Sequence, residues 1–415
     1  MLIHWIWLAT RPHMNDRDKL SVLQHFGDPE DVFYADPESY ASVEDMTQTM
    51  AEALQDKDLH EAGAILRSCM DLGIHICTYH DGAYPGKLKN IVDPPMVLYY
   101  KGHLPDLDGS PVISVVGTRR ASVYGMNVSK RIAGQLARCG GIVVSGMAAG
   151  IDGAAIAGAL TAGGCAVGIL GCGVDVVYPL SNRSLYADVE RHGCLISEFA
   201  PGTPPHKWNF PKRNRLMSGI ANGVLVVEAP ERSGALITAR QAADQGRDVF
   251  VVPGNVDVPT CAGSNALLRD GAIMARNGWD VISEYLSLYP DKIRTGNEQI
   301  QPAGFTDDVL QPEKQELKVA QKPKKVRNNR NSDSKDDKLT IDNETDKSYD
   351  VIRGAFENLS EPEKKLVQLL QDGEMLVDDL IAGSGMPTGE VLSMLTLMEI
   401  QNIVVRRPGK RVALK

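Results

Sequence analysis

The sequence predicts an α/β protein: a doubly wound, mainly parallel sheet, with a small N-terminal helical domain before it and a C-terminal winged-helix domain after it. Three observations lead there. Short, fully apolar runs alternate with helical patterns through residues 71–290, and strands apolar on both faces belong to a parallel sheet covered by helices on both sides. Those runs end at glycine and polar residues, where open sheets of this kind bind ligands. Residues 1–70 and 348–415 lack the alternation and carry helix signals instead. Counting strands leaves a (β/α)8 barrel open, although long glycine loops suit the open sheet better.

At 415 residues and 43% apolar, the chain can hold two or three domains with an ample core. Its formal net charge is −9, so any anion-binding site must be local rather than a global field. The seven cysteines are scattered without a CxxC, which argues for a reducing compartment and against a structural metal. Met1–Thr10 is apolar but lacks a basic leader, and no run of 18 apolar residues occurs. A cytoplasmic protein with no membrane partner, metal or cofactor is expected.

In chain order, residues 1–70 show helical candidates at Ser21–Phe26, Pro37–Ser42, Met46–Leu54 and Leu59–Leu72, joined by turns such as FGDPED. They suggest a helix-hairpin-helix or SAM-like domain. It lacks the phosphate-binding GxG of a DNA-reading hairpin, so packing is its expected role. Trp5 and Trp7 read as core. Strands are expected at Ile74–Thr78, Met96–Tyr100, Ile113–Val116, Ile142–Val144, Ala166–Leu170, Leu195–Phe199, Val224–Val227 and Val249–Val252. The clearest helical patterns between them are Ser129–Arg138, Asp152–Ala162, Ser181–Arg191, Pro211–Ile220 and Ala235–Gln245. Residues 291–347 are polar, with the basic run Lys322–Arg330, and read as a disordered linker. Order returns at 348–415. Ser360-Glu361-Pro362-Glu363 is a capping box opening a helix to Leu370. Helices at Leu376–Ile381 and Thr388–Ile400 follow, then a hairpin of Ile403–Arg407 and Arg411–Leu414 about a PGK turn. The helix in the recognition position contains two glutamates and no Lys or Arg, whereas a major-groove reader needs donors there. Only the wing, with Arg406, Arg407, Lys410 and Arg411, is basic. The domain therefore reads as a contact module.

The chemistry concentrates in two stretches free of acidic residues, Gly109–Ile151 and Phe199–Val227. In the first, a strand stops at Gly117, Ser122 is an N-cap candidate, and Val128, Ile132 and Leu136 mark one helical face. Arg119 and Arg120 lie where a helix N-terminus also offers N–H groups, so several donors can converge on a phosphate. The second holds His206, Lys207, Lys212, Arg213 and Arg215, interleaved with Trp208 and Phe210. Aromatic rings among cations suit single-stranded nucleic acid, whose bases stack while its phosphates pair. The alternative is that both rings are core and the charges a solvated helix start. Loops at Gly171–Gly173, Glu228–Ser233 and Pro253–Asn265 ring the same sheet edge. Asp152, Glu198 and Glu228 near strand ends read as helix caps or partners of Arg119 and Arg213. No dinucleotide, phosphate-loop, HExxH or GxSxG motif occurs, so no catalytic residue is assigned and no enzyme is expected.

The runs GTRRASVYG (Gly117–Gly125), SGMAAGID (Ser145–Asp152), FPKRNRLMSGIA (Phe210–Ala221), SGALITARQAADQGRDVFVVPG (Ser233–Gly254) and GSNALLRDGA (Gly263–Ala272) closely resemble the DNA-processing protein A family, DprA or Smf. The resemblance spans roughly residues 70–285. It implies an extended Rossmann-like domain that binds single-stranded DNA, forms a homodimer, and loads the RecA recombinase onto incoming strands in natural transformation. By motif match it places Gly117, Arg119, Ser122, Tyr124, Phe210, Lys212, Arg213, Asn214 and Arg215 in the DNA pocket. It also implies a dimer through the region of Leu267 and Leu268. Adjacent leucines on a helix point about 100° apart, so one turns outward unless both are buried between layers. The alternative function is a Rossmann-like nucleotide phosphoribohydrolase. That class carries a catalytic glutamate in a PGGxGTxxE loop, and the corresponding APERSGALITA has none after its small-residue turn.

Overall fold

Capping side chains set where three of the five N-terminal α-helices begin. α1 (Leu2–Ala9), α2 (Asp16–Phe26), α3 (Pro29–Tyr34), α4 (Gln48–Gln55) and α5 (His60–Asp71) are joined by short turns and a 3-10 helix at Pro37–Ser42. At α2 the Asn15 side chain accepts from the Asp18 N–H, and the Asp18 carboxylate accepts from the Asn15 N–H. The stretch expected as an FGDPED turn is instead the start of α3: Asp28 accepts from the Glu30 N–H and Pro29 takes the first helical position. Trp5 and Trp7 are buried. The computed structural model describes residues 1–295 and 360–415, except 371–372, 401–402, 408–410 and 415. Residues 296–347 of the expected linker, with its basic run Lys322–Arg330, and the PGK turn lie outside these.

The sheet domain runs β1 (His75–Thr78), α6 (Gly86–Lys89), β2 (Val97–Gly102), β3 (Val112–Val116), α7 (Val123–Arg138), β4 (Ile142–Ser145), α8 (Ile151–Thr161), β5 (Ala166–Ile169), α9 (Arg183–His192), β6 (Cys194–Ser197), α10 (Asn209–Ile220), β7 (Gly223–Val226), α11 (Gly234–Asp244), β8 (Asp248–Val251), α12 (Ala262–Arg269), β9 (Ile273–Met274) and α13 (Gly278–Ile282). Among the described residues the strands form one nine-stranded sheet in the order β1-β2-β6-β5-β4-β3-β7-β8-β9. β1 and β2 pair antiparallel, β2 joins β6 antiparallel, and every pair from β6 to β9 is parallel. The order is linear, so the barrel alternative falls and the doubly wound fold stands. β9 was not anticipated because it is two exposed residues with no alternation.

Side-chain alternation divides the core. Ile113 and Val115 of β3 pack toward α7, α8 and the N-terminal helices, while Val112 and Val116 pack toward α6, α10 and α11. The helices of residues 1–71 thus share a core with one sheet face, within one compact unit that takes in the described residues 1–295. α7 and α8 touch closely at Gly158, where a Cβ would overlap the Lys130 carbonyl.

The second unit contains α14 (Glu361–Leu369), β10 (Met375–Leu376), α15 (Val377–Ser384), α16 (Thr388–Ile400), β11 (Val404–Arg407) and β12 (Arg411–Leu414). The capping box forms, with the Ser360 N–H donating to Glu363 at 2.8 Å. Helices followed by an antiparallel sheet in the order β10-β12-β11 make a winged helix. Leu376 belongs to β10 rather than to the helix expected there, which starts at Val377. Glu374 pairs with Arg411 at 3.1 Å and Arg407 at 3.7 Å, so part of the wing's positive charge is matched locally.

Candidate nucleic-acid interface

From β3 the sheet grows toward β6 on one side and, from β7, toward β9 on the other. At that switch point the C-terminal strand ends open on a pocket of about 350 Å³. Gly117, Arg119 and Arg120 of the β3–α7 loop, Phe210, Arg213 and Asn214 of α10, and Arg232 and Ser233 before α11 line it.

The β3–α7 loop is held by Glu228. The Thr118 N–H donates to the Glu228 carbonyl at 2.7 Å. The buried Glu228 carboxylate accepts from the Ser122 N–H at 3.1 Å and from its hydroxyl at 2.8 Å. Ser122 Oγ in turn accepts from the Gly125 N–H at 2.9 Å. The α7 N-terminus, expected to offer its N–H groups to a phosphate, is therefore already matched by a carboxylate. What the loop presents to solvent is the side chains of Arg119 and Arg120. The β4–α8 loop backs it: Gly150 has φ 81° and passes against the carbonyls of Thr118 and Arg119, where no Cβ would fit. Asn182 donates to the Met147 and Ala148 carbonyls at 3.0 and 3.2 Å and fixes this second loop.

Beneath the pocket Arg213 is only 3% exposed. Its guanidinium donates to the Gly146 carbonyl at 2.9 Å and to the Ile169 carbonyl. Burial pushes the Asp152 carboxyl up, against which the Arg213 charge and the N–H groups of Ala148 and Gly146 hold it down. Above it the Arg119 guanidinium lies 5.0 Å from the Phe210 ring centroid. Phe210 is half-buried and tilted against Tyr178 at 5.5 Å. A smaller cavity of about 160 Å³ adjoins, lined by Arg119, Ala148, Tyr178, Pro179 and Phe210.

The structure thus gathers Gly117, Arg119, Phe210, Arg213 and Asn214 around one pocket. Ser122 is used as the α7 cap, and Tyr124 stands 59% exposed on the first turn of that helix. Lys212 and Arg215 turn away, because positions 210, 213, 214 and 217 share one helical face and 212 and 215 do not. They meet Asp16, Asp93 and Glu198 instead. Trp208 is 63% exposed and stacks on His206 at 4.6 Å, so it is not core. No motif or charge run marks Tyr178 and Asn182 in the sequence, whereas Arg232 lies in the Glu228–Ser233 loop expected at this edge. Leu267 and Leu268 both pack half-buried against the core, and the exposed apolar residues of that edge are Ile273 and Met274 of β9. A groove of about 580 Å³ runs between α11 and α12, with Leu236, Leu267 and Ile273 in its walls. All seven cysteines are unpaired, and no described helix is long and apolar enough to cross a membrane.

A family model described as DNA recombination-mediator protein A matches residues 75–286, and one described as the DprA winged helix domain matches residues 355–410. Protein Smf of Synechocystis sp. is 30% identical over 402 residues, covering 94% of this chain and 93% of the relative. The DNA processing protein DprA of Bacillus subtilis is 40% identical over 220 residues, covering 53% and 74%. The X-ray structure of DNA processing protein A from Streptococcus pneumoniae superposes with a TM-score of 0.62 at 31% identity, covering 68% of this chain and 98% of that one.

Proposed function

The chain belongs to the DNA recombination-mediator protein A family, DprA/Smf, and from that premise we propose that it binds single-stranded DNA along the C-terminal edge of its sheet. The observation that carries this reading is the Arg119–Phe210 pair at the mouth of a pocket also lined by Arg120, Arg213 and Arg232, in a chain of net charge −9. Exposed Arg119 and Arg120 pair with phosphates. A base stacks in the angle between Phe210 and Tyr178, and Arg213, tied to the Gly146 and Ile169 carbonyls, fixes the pocket floor. A base inside a duplex has its faces covered by its neighbours, so this geometry favours single strands and every base alike.

We further propose that the protein protects incoming strands and loads the RecA recombinase during natural transformation, in the cytoplasm, as a homodimer. The family supports the partner. The groove at Leu267, with Ile273 and Met274 exposed beside it, supports a self-complementary contact. The winged helix acts as a contact module, its Arg407 and Arg411 being paired with Glu374. We assign no turnover, because the carboxylates nearest the pocket are committed to the scaffold: Glu228 caps Ser122, and Asp152 receives backbone N–H groups.

The test is one titration series with a single-stranded oligonucleotide, the matching duplex and a nucleoside monophosphate at several salt concentrations. Preference for the single strand with a negative log–log salt slope supports the reading. Equal binding of duplex overturns it, and release of free base from the monophosphate moves it to the phosphoribohydrolase class.

A further inference from the structure

Helix α10 has two working faces. Phe210, Arg213, Asn214 and Met217 line the pocket. Lys212 and Arg215 enter a cluster of charges on the other side. Arg215 Nη2 donates to Asp16 at 2.9 Å and to Glu198 at 2.5 Å, and its Nε stands 3.0 Å from Asp93. Lys212 Nζ lies 3.0 Å from Asp16 and 3.4 Å from Glu198, and Lys19 lies 3.9 Å from Asp16. The side chains of Arg215, Glu198 and Asp16 are 6%, 3% and 10% exposed. Three acids face three bases, and charges buried this far stay put only while each keeps its partners. Asp16 opens helix α2, so the N-terminal segment supplies one of the charges that hold α10.

We propose that Asp16 is a positioning residue for the nucleic-acid site: through Lys212 and Arg215 the N-terminal helical segment sets α10, and with it the aim of Phe210 and Arg213. The proposal rests on the single-strand reading of the pocket given above. Lys212 and Arg215 then act through the helix, not by touching phosphate. The two roles differ in sign. Were these cations phosphate ligands, removing the negative charge beside them would free them and tighten binding.

The experiment uses the full-length chain with Asp16→Asn, read by hydrogen exchange and by single-strand titration against salt. Amides of residues 209–220 should exchange faster while those of α7 do not. Affinity should fall by roughly 2- to 30-fold, the range for residues that act on a site without touching its ligand, with an unchanged salt slope. Asp16→Glu should recover both. Unchanged exchange in α10, or tighter binding, overturns the proposal. If the unmodified protein binds no single strand, the pocket reading fails, and exchange alone still decides the positioning role. If Asp16→Asn does not fold, Lys212→Met replaces it. An unchanged slope then supports positioning, and a slope shallower by about 0.7, one lost phosphate contact, overturns it.

Discussion

The guanidinium of Arg119, from the β3–α7 loop, and the ring of Phe210, from the first turn of α10, stand 5.0 Å apart and form one surface. A cation over a ring supplies in one place the two contacts that a flexible polyanion with flat bases requires. Losing the cation and losing the ring should therefore have separable signatures.

Arg119→Ala should weaken binding to every single-stranded sequence alike, and the log–log salt slope should become shallower by about 0.7. Fluorescence anisotropy at several salt concentrations checks both. Unchanged affinity would remove Arg119 from the site.

Phe210→Ala should cost ~1–3 kcal/mol of binding free energy, the worth of one stacked base, with the salt slope preserved. Trp208→Ala tests the neighbouring exposed ring. Its cooperative melting transition should match that of the unmodified protein, and affinity for long single strands should drop.

Glu228→Ala leaves the Ser122 N–H without its acceptor in a half-buried loop. An unpaired buried donor costs ~1–3 kcal/mol, so denaturant unfolding should shift to lower midpoint by that order. Single-strand affinity should fall with it, because the same loop carries Arg119. A stable variant with normal binding would show that Glu228 does not hold the loop.

Lys87 donates to Asn222 at 2.8 Å and to Tyr289 at 3.2 Å, and burial brings its ammonium down to about 8. With the folded value below the ordinary 10.5, the unfolded chain binds more protons between about pH 8 and pH 10.5. The contribution of Lys87 is thus favourable above 10.5 and is lost as pH falls through 8. The stability of the unmodified protein relative to Lys87→Met should rise across that window, as followed by urea melts. A flat difference would place the ammonium in water.

Leu267→Arg and Leu268→Arg should give monomers by light scattering where the unmodified protein is a dimer. They should bind a short oligonucleotide normally but a long strand and the recombinase poorly, since two linked pockets raise avidity. A monomeric unmodified protein at micromolar concentration contradicts the proposed assembly.

The sheet was legible because each strand of its parallel core is a short apolar run that stops at glycine or a polar residue, as at Val116-Gly117 and Ser145-Gly146. The pocket was legible in part, since stretches without acids in an acidic chain had to mean something local. What sequence periodicity did not reveal was the partner of each cation on α10. Arg213 and Arg215 look equivalent in FPKRNR, yet one meets carbonyls of the strand-end loops and the other meets Asp16. Which face each occupies depends on where α10 docks, and that is decided by residues far away in the chain. β9 and α3 escaped for a simpler reason, being too short to show a period.

The junction between Asp16 and Arg215 also bears on how the chain is made. The two residues are 199 positions apart. Ribosomal synthesis at roughly 5–20 residues per second leaves Asp16 without Arg215 for about 10–40 s. During that interval the N-terminal helices have emerged, but Lys212 and Arg215, two of the three cations that face Asp16, do not exist yet. A segment made before the sheet is therefore among the last to reach its final packing. Its native contacts are of high sequence separation, the kind that slows folding. Removing it would spare the nascent chain that wait and leave the finished helix α10 without its outer support.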